Sequence, residues 1–94
     1  PLPALHHFVE SEGTVSSMRL DCVVALLLSL SREKAVRLIT SGLVALNFLV
    51  CEDKDKTVEE GDQLSIRGYG RFLVDSIGGT TRKGRTFIHT KKFI

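Results

Sequence analysis

Apolar positions form two helical stripes early in the chain and shorter, alternating runs after them. Leu20, Val23, Val24, Leu27 and Leu28 repeat at i, i+3, i+4, i+7 and i+8, the buried face of a helix from about Ser17 to Ser29. Ala35, Val36, Leu38 and Ile39 make the stripe of a second helix from Ser31 to about Ser41, with Gly42 as its natural terminator. Leu43 to Val50 is short, rich in branched residues and interrupted by Asn47, which suits a tight Asn47-Phe48 hairpin turn. Glu60-Gly61-Asp62 is a turn, and Gln63 to Arg67 alternates like a half-buried strand. Arg67-Gly68-Tyr69-Gly70-Arg71 reads as a second tight turn that brings its two arginines together. Phe72-Leu73-Val74 is a strand that Ile77-Gly78-Gly79 breaks, Arg82-Lys83-Gly84-Arg85 a basic turn, and Thr86 to Thr90 a last strand.

Before Ser17 the pattern is weak. Leu5, Phe8 and Val9 suggest a short helical stripe, followed by an extended Thr14-Val15-Ser16-Ser17 linker. Residues 1–17 are thus expected to be a linker or N-terminal extension, and residues 18–94 the folded domain. The fold class is α+β: two N-terminal helices packed on a small, mostly antiparallel sheet of four to five strands.

The composition, 43% apolar and 26% charged over 94 residues, suits one globular domain. The longest apolar run, Cys22 to Leu28, is far too short to span a bilayer. The opening Pro1-Leu2-Pro3 has neither an initiator Met nor a signal-peptide pattern, as expected of a piece of something longer. Cys22 and Cys51 stand alone, without CxxC spacing or clustered His, which fits a reduced, cytoplasmic protein with inert thiols.

Charge changes this picture more than composition does. The net charge is only +2, but residues 51–66 set six acids against two lysines, whereas residues 67–94 carry seven cations and only Asp75 against them. Such polarity suits a polyanion partner, and it equally suits an ordinary solvated surface. The second helix is more telling. Ser31 reads as its N-cap, yet Arg32 and Lys34 occupy the first turn, where the helix dipole favours acids. Each misplaced cation costs a few tenths of a kcal/mol, up to about 1. Free N–H groups, the positive dipole end and two cations make an anion site, and the inference is a phosphate-binding surface. Lys34 and Arg37 lie about 60° apart on the outward side. A Glu33–Arg37 pair, worth about 0.2–0.5 kcal/mol, is too weak to explain the cluster. Arg19 either pairs with Asp21 or points outward toward a ligand. Phe48 at its turn either folds back over the core or is exposed to stack on a base.

No set of residues forms a convincing catalytic or metal site. Ser31-x-x-Lys34 lacks the companion elements of a Ser–Lys nucleophile, so Ser31 is read as a cap. His6 and His7 lack partner ligands at metal spacing, and Asp53-x-Asp55 lacks the glycine of a calcium loop. Gly68-x-Gly70 is no dinucleotide fingerprint, and residues 51–61 read as a solvated connection. No enzyme activity and no cofactor are expected.

Arg19-Leu20-Asp21, Leu30-Ser31-Arg32-x-x-Ala35, Ile39-x-x-Gly42-x-Val44-x-x-Asn47 and Gly61-Asp62 together resemble the RNA-binding domain of small-subunit ribosomal protein S-four, the alpha-L motif. Ile66-Arg67-Gly68-x-Gly70-Arg71-Phe72 and Lys83-Gly84-Arg85 are similar to the C-terminal domain of the bacterial YlmH proteins, linked to rescue of stalled large ribosomal subunits. The resemblance implies that Arg19, Ser31, Arg32, Lys34, Arg37 and Asn47 contact structured RNA, joined by Arg67 and Arg71. Phe48 departs from the family, where Gly is common after the Asn. The implied partners are ribosomal or transfer RNA and the large ribosomal subunit, with no membrane and no small-molecule substrate. Two other classes stay open: an RNA-targeting appendage of a pseudouridine synthase or aminoacyl-tRNA synthetase, and a protein-interaction module anchored by Phe48 and Tyr69.

Overall fold

The first helical stripe folds as helix α1 (Leu20–Leu28) and the second as α2 (Arg32–Thr40) in a computed structural model that describes residues 8–93. Both ends of the α1–α2 hairpin are closed by hydrogen bonds that local sequence only partly signals. At the end of α1, Ser29 adopts the left-handed conformation (φ 54°), and the Leu30 N–H donates to the Ala25 carbonyl at 3.0 Å. Ser31 then caps α2, its Oγ accepting from the Lys34 N–H at 3.2 Å. At the far end Gly42 (φ 77°) and Leu43 return their N–H groups to Ile39 and Leu38, which turns the chain sharply into the sheet.

The sheet has six strands, β1 (Phe8–Val15), β2 (Val44–Leu46), β3 (Leu49–Val50), β4 (Gln63–Ile66), β5 (Gly70–Thr80) and β6 (Thr86–Phe93). Their order is β1-β6-β5-β4-β2-β3, and each neighbouring pair is antiparallel. Alternating residues of one face (Val44, Leu46, Leu64, Ile66, Phe72, Val74, Ile88) meet Leu20, Val23, Val24, Ala35 and Ile39 of the helices in a single buried cluster. The α+β class holds, with five strands after the helices and a sixth before them.

That sixth strand corrects the reading of the N-terminal stretch. Phe8 and Val9 belong to no helix: residues 8–15 pair with β6 over their whole length, from Phe8 opposite Phe93 to Val15 opposite Thr86. A partner some eighty residues away supplies the backbone hydrogen bonds, and local periodicity cannot register it. Leu5, His6 and His7 lie outside the described residues. Gly78-Gly79 does not end β5 either. The strand runs on to Thr80 through two register shifts, with Gly78 so close to Phe87 that an added Cβ would stand 3.3 Å from the Phe87 Cβ.

The acidic connection is more than solvated chain. Val58 inserts into the core, and the carbonyls of Lys56 and Lys54 accept the otherwise unpaired N–H groups of Leu20 and Asp21 at 2.8 and 3.2 Å. The loop therefore caps α1 by its backbone while its acidic side chains face water.

Candidate RNA-binding surface

Asp21 is the electrostatic centre of the helix hairpin. It is 1% exposed, in the first turn of α1, where the dipole favours a carboxylate. Arg19 donates to both of its oxygens, from Nε at 3.2 Å and Nη2 at 2.9 Å, and the Cys22 N–H donates to Oδ1 at 2.8 Å. The Nη2 of Arg32 approaches Oδ2 at 3.5 Å from the start of α2. Burial pushes the Asp21 carboxyl up. The hydrogen bonds from Arg19 and Cys22, with the charges of Arg19 and Arg32, outweigh it, so the group titrates below its ordinary value. Its hydrogen bond to Asp21 leads the causes that raise the Arg19 guanidinium, with the charge of Asp55 adding to it.

Arg19 is thus the pairing alternative realised, and it also bridges to Asp55 of the acidic loop at 2.7 Å. It clasps the loop to α1 and presents little free charge. Arg32, on the other side of Asp21, remains largely exposed. Ser31 spends its hydroxyl on the cap. Asn47 is likewise committed: its Nδ2 donates to Asp62 and its Oδ1 accepts from the Gln63 N–H, both at 3.0 Å. With Asn47 and Phe48 both at positive φ (51° and 72°), the turn is of the type that matches strand twist, and Asn47 pins it to the start of β4. Phe48 is 69% exposed, so it is no lid on the core.

The remaining cations converge. Lys34 and Arg37 stand on the outer face of α2, Arg37 paired with exposed Glu33 at 3.2 Å and Lys34 without an ion pair among the described residues. They line a cleft with Leu30, Leu38 and Tyr69. Tyr69 comes from the β4–β5 turn, which Gly68 (φ 88°) and Gly70 (φ 118°) allow to bend tightly. The Arg67 N–H donates to the Leu43 carbonyl at 2.9 Å, tying that turn to the segment just after α2. On its other side Tyr69 borders a broad trough on the open face of the sheet, floored by Ala45 and Ser65 and flanked by Arg67, Arg71 and Phe93. Tyr69 therefore lies where two clefts meet, one lined by Lys34 and Arg37 of α2 and the other by Arg67 and Arg71 at the β4–β5 turn. The role of Tyr69 as the link between the two groups was not legible in the spacing. A tyrosine between two turn glycines and two arginines was the available signal.

Of the eight residues singled out, Lys34, Arg37, Arg67 and Arg71 share this surface. Arg32 flanks the other side of α2, and Arg19, Ser31 and Asn47 hold the framework. Among the described residues no group of three or more potential metal ligands occurs, and no helix is long and apolar enough to cross a membrane.

The chain is 47% identical over 74 residues to the ribosome-associated protein quality control protein P2 of Bacillus subtilis (strain 168), an alignment covering 79% of this chain and 29% of that protein. It thus spans less than a third of the length of that relative. A crystal structure of pseudouridylate synthase shares the fold, with a TM-score of 0.54 and 22% identity over 67% of this chain and 26% of that one. Residues 18–64, from just before α1 into β4, match the S4 domain. With half its length in that match, and the helix hairpin and strands it covers in place, the chain belongs to the S4 domain family.

Proposed function

We propose that this chain is a non-catalytic RNA-binding module that holds structured ribosomal or transfer RNA, acting in the cytoplasm on the large ribosomal subunit during quality control or rescue. The observation that carries the reading is Tyr69, shared between the Lys34–Arg37 cleft and the Arg67–Arg71 trough. The cations lining the two clefts offer phosphate contacts for position, and the exposed ring between them one aromatic face for an unpaired base. Membership of the S4 domain family and the ribosome-associated name of the Bacillus subtilis relative support it. No cofactor and no small-molecule substrate enter this reading.

Phosphate contact releases counterions, so binding to ribosomal RNA stem-loops should weaken steeply with salt, the log–log slope falling by up to about 0.9 per phosphate engaged. Reversing Lys34 and Arg37 to Glu should abolish binding, and reversing Arg67 and Arg71 should do the same. A slope near zero, or unchanged affinity in both variants, refutes the proposal.

A protein-docking module is the second reading. It is favoured by the hairpin of Phe48, Leu49 and Val50, exposed by 69%, 75% and 64%. Ala at Phe48 and Tyr69 would then abolish association with ribosomal particles while the Lys34/Arg37 reversal leaves it intact.

A further inference from the structure

The β5–β6 turn carries Arg82, Lys83 and Arg85, and no acidic residue occurs between Ser76 and Ile88. Unlike a loose charged loop, the turn is internally braced. The Thr81 N–H donates to the Arg85 carbonyl, and Thr81 Oγ1 accepts from the N–H groups of Lys83 and Arg85 at 3.3 and 3.1 Å. Gly84 takes the positive φ (79°) that closes it. Arg85 then reaches across to β1, donating from Nε to Thr14 Oγ1 at 2.9 Å and from Nη2 to the Thr14 carbonyl at 3.0 Å. This clamp leaves Arg82 and Lys83 projecting, exposed and without an acidic partner among the described residues.

The same clamp brings Arg85 to a shallow cleft that it lines with Arg32, Ser16 and Leu30. Leu30 also lines the Lys34–Arg37 cleft. The start of α2 therefore lies between two basic areas, with Lys34, Arg37 and the β4–β5 arginines on one flank and Arg32, Arg85 and the β5–β6 turn on the other. The two turns cap opposite ends of β5. At about 3.3 Å per residue, the stretch from Arg71 to Thr80 spans about 30 Å, most of the molecule's longest dimension of 43 Å. That separation is of the order of one helical turn of duplex RNA, whose A-form shape presents phosphates and sugars across a shallow minor groove. An unpaired loop would satisfy one area; two basic areas this far apart match phosphates about a helical turn apart.

We infer that Arg32 and the β5–β6 turn form a second phosphate-contacting surface, so that the RNA held by this protein is a duplex stem long enough to reach both ends of β5. The inference rests on the RNA-binding reading and adds to it the length and form of the ligand.

The test compares two RNA stem-loops with the same loop, one with a stem of about 8 base pairs and one of about 20, chosen to fall below and above the reach of a two-groove contact. Wild type should bind the longer stem about tenfold more tightly and with a steeper salt slope. Arg82→Ala with Lys83→Ala, at exposed positions whose side chains make no hydrogen bond or ion pair among the described residues, should remove that advantage and leave the short stem unaffected. Equal affinity of wild type for both stems, or a double variant that behaves like wild type on the longer one, overturns the inference. If the Lys34/Arg37 reversal still abolishes binding in that case, the RNA reading survives and only this extension falls. If wild type binds neither stem, both fall together.

Discussion

Replacing Asp21 with Asn tests whether one buried carboxylate organises the whole helix hairpin. Asn keeps the volume and can still accept the Cys22 N–H, but its amide replaces an acceptor with a donor facing Arg19, and the charge that draws Arg32 is gone. Removing one partner of a fully buried ion pair costs about 3–5 kcal/mol. Here the cation partners reach water, which lowers the expected loss to about 2–3 kcal/mol. For a domain of this size each kcal/mol moves the melting temperature by about 4–8 °C, so a drop of about 8–24 °C is expected in a calorimetric or circular-dichroism melt at pH 7. The pH dependence carries the sharper signature. Asp21 titrates below its ordinary value in the fold, so the unfolded chain binds its proton more readily. Its contribution is therefore complete above the unfolded carboxyl pKa of about 3.9 and is lost as pH falls through the lower folded value. The gap between wild type and Asp21→Asn should be wide and flat from pH 5 to 7 and close below about pH 4. A gap under 1 kcal/mol at neutral pH, or one that persists unchanged into strong acid, would show that packing and not charge holds this position.

Two further substitutions probe the β2–β3 hairpin, beside the RNA-binding and stem-length tests already stated. Phe48→Gly removes a bulky side chain from the left-handed region (φ 72°), where Asn-Gly is the favoured pair, and should stabilise the domain by about 1 kcal/mol in urea unfolding; unchanged or lower stability would mean that the exposed ring packs usefully. Asn47→Ala deletes the bonds to Asp62 and Gln63 and places Ala at φ 51°, so a loss of about 1–2 kcal/mol is expected. Faster hydrogen exchange at the Gln63 amide is the accompanying readout.

Both helices, the Ser31 and Gly42 caps of α2 and the Asn47-Phe48 turn were legible along the chain, because each rests on contacts within a few residues. A stripe at helical spacing, a serine ahead of it and a glycine behind need no distant partner to be recognised. The same holds for the misplaced cations of α2, whose conflict with the dipole is a local property. Strand β1 was not legible, because its eight residues acquire their conformation from β6 at the other end of the chain. Nor was the role of the acidic loop, whose contribution lies in carbonyl groups that are the same in every residue and so leave no mark on side-chain pattern.

The division of the arginines shows where local information ended. Sequence identified which positions carry charge near the helix hairpin. Only the packed chain decided that Arg19 turns inward to Asp21 and Asp55 while Lys34 and Arg37 line one cleft beside Tyr69 and Arg67 and Arg71 another. A guanidinium's availability depends on which acids the fold brings within a few ångströms, and Asp55 lies thirty-six residues from Arg19 in sequence but 2.7 Å away in space. Charge is written in the chain; whether it is spent inside the protein or left for a partner is settled by tertiary contact.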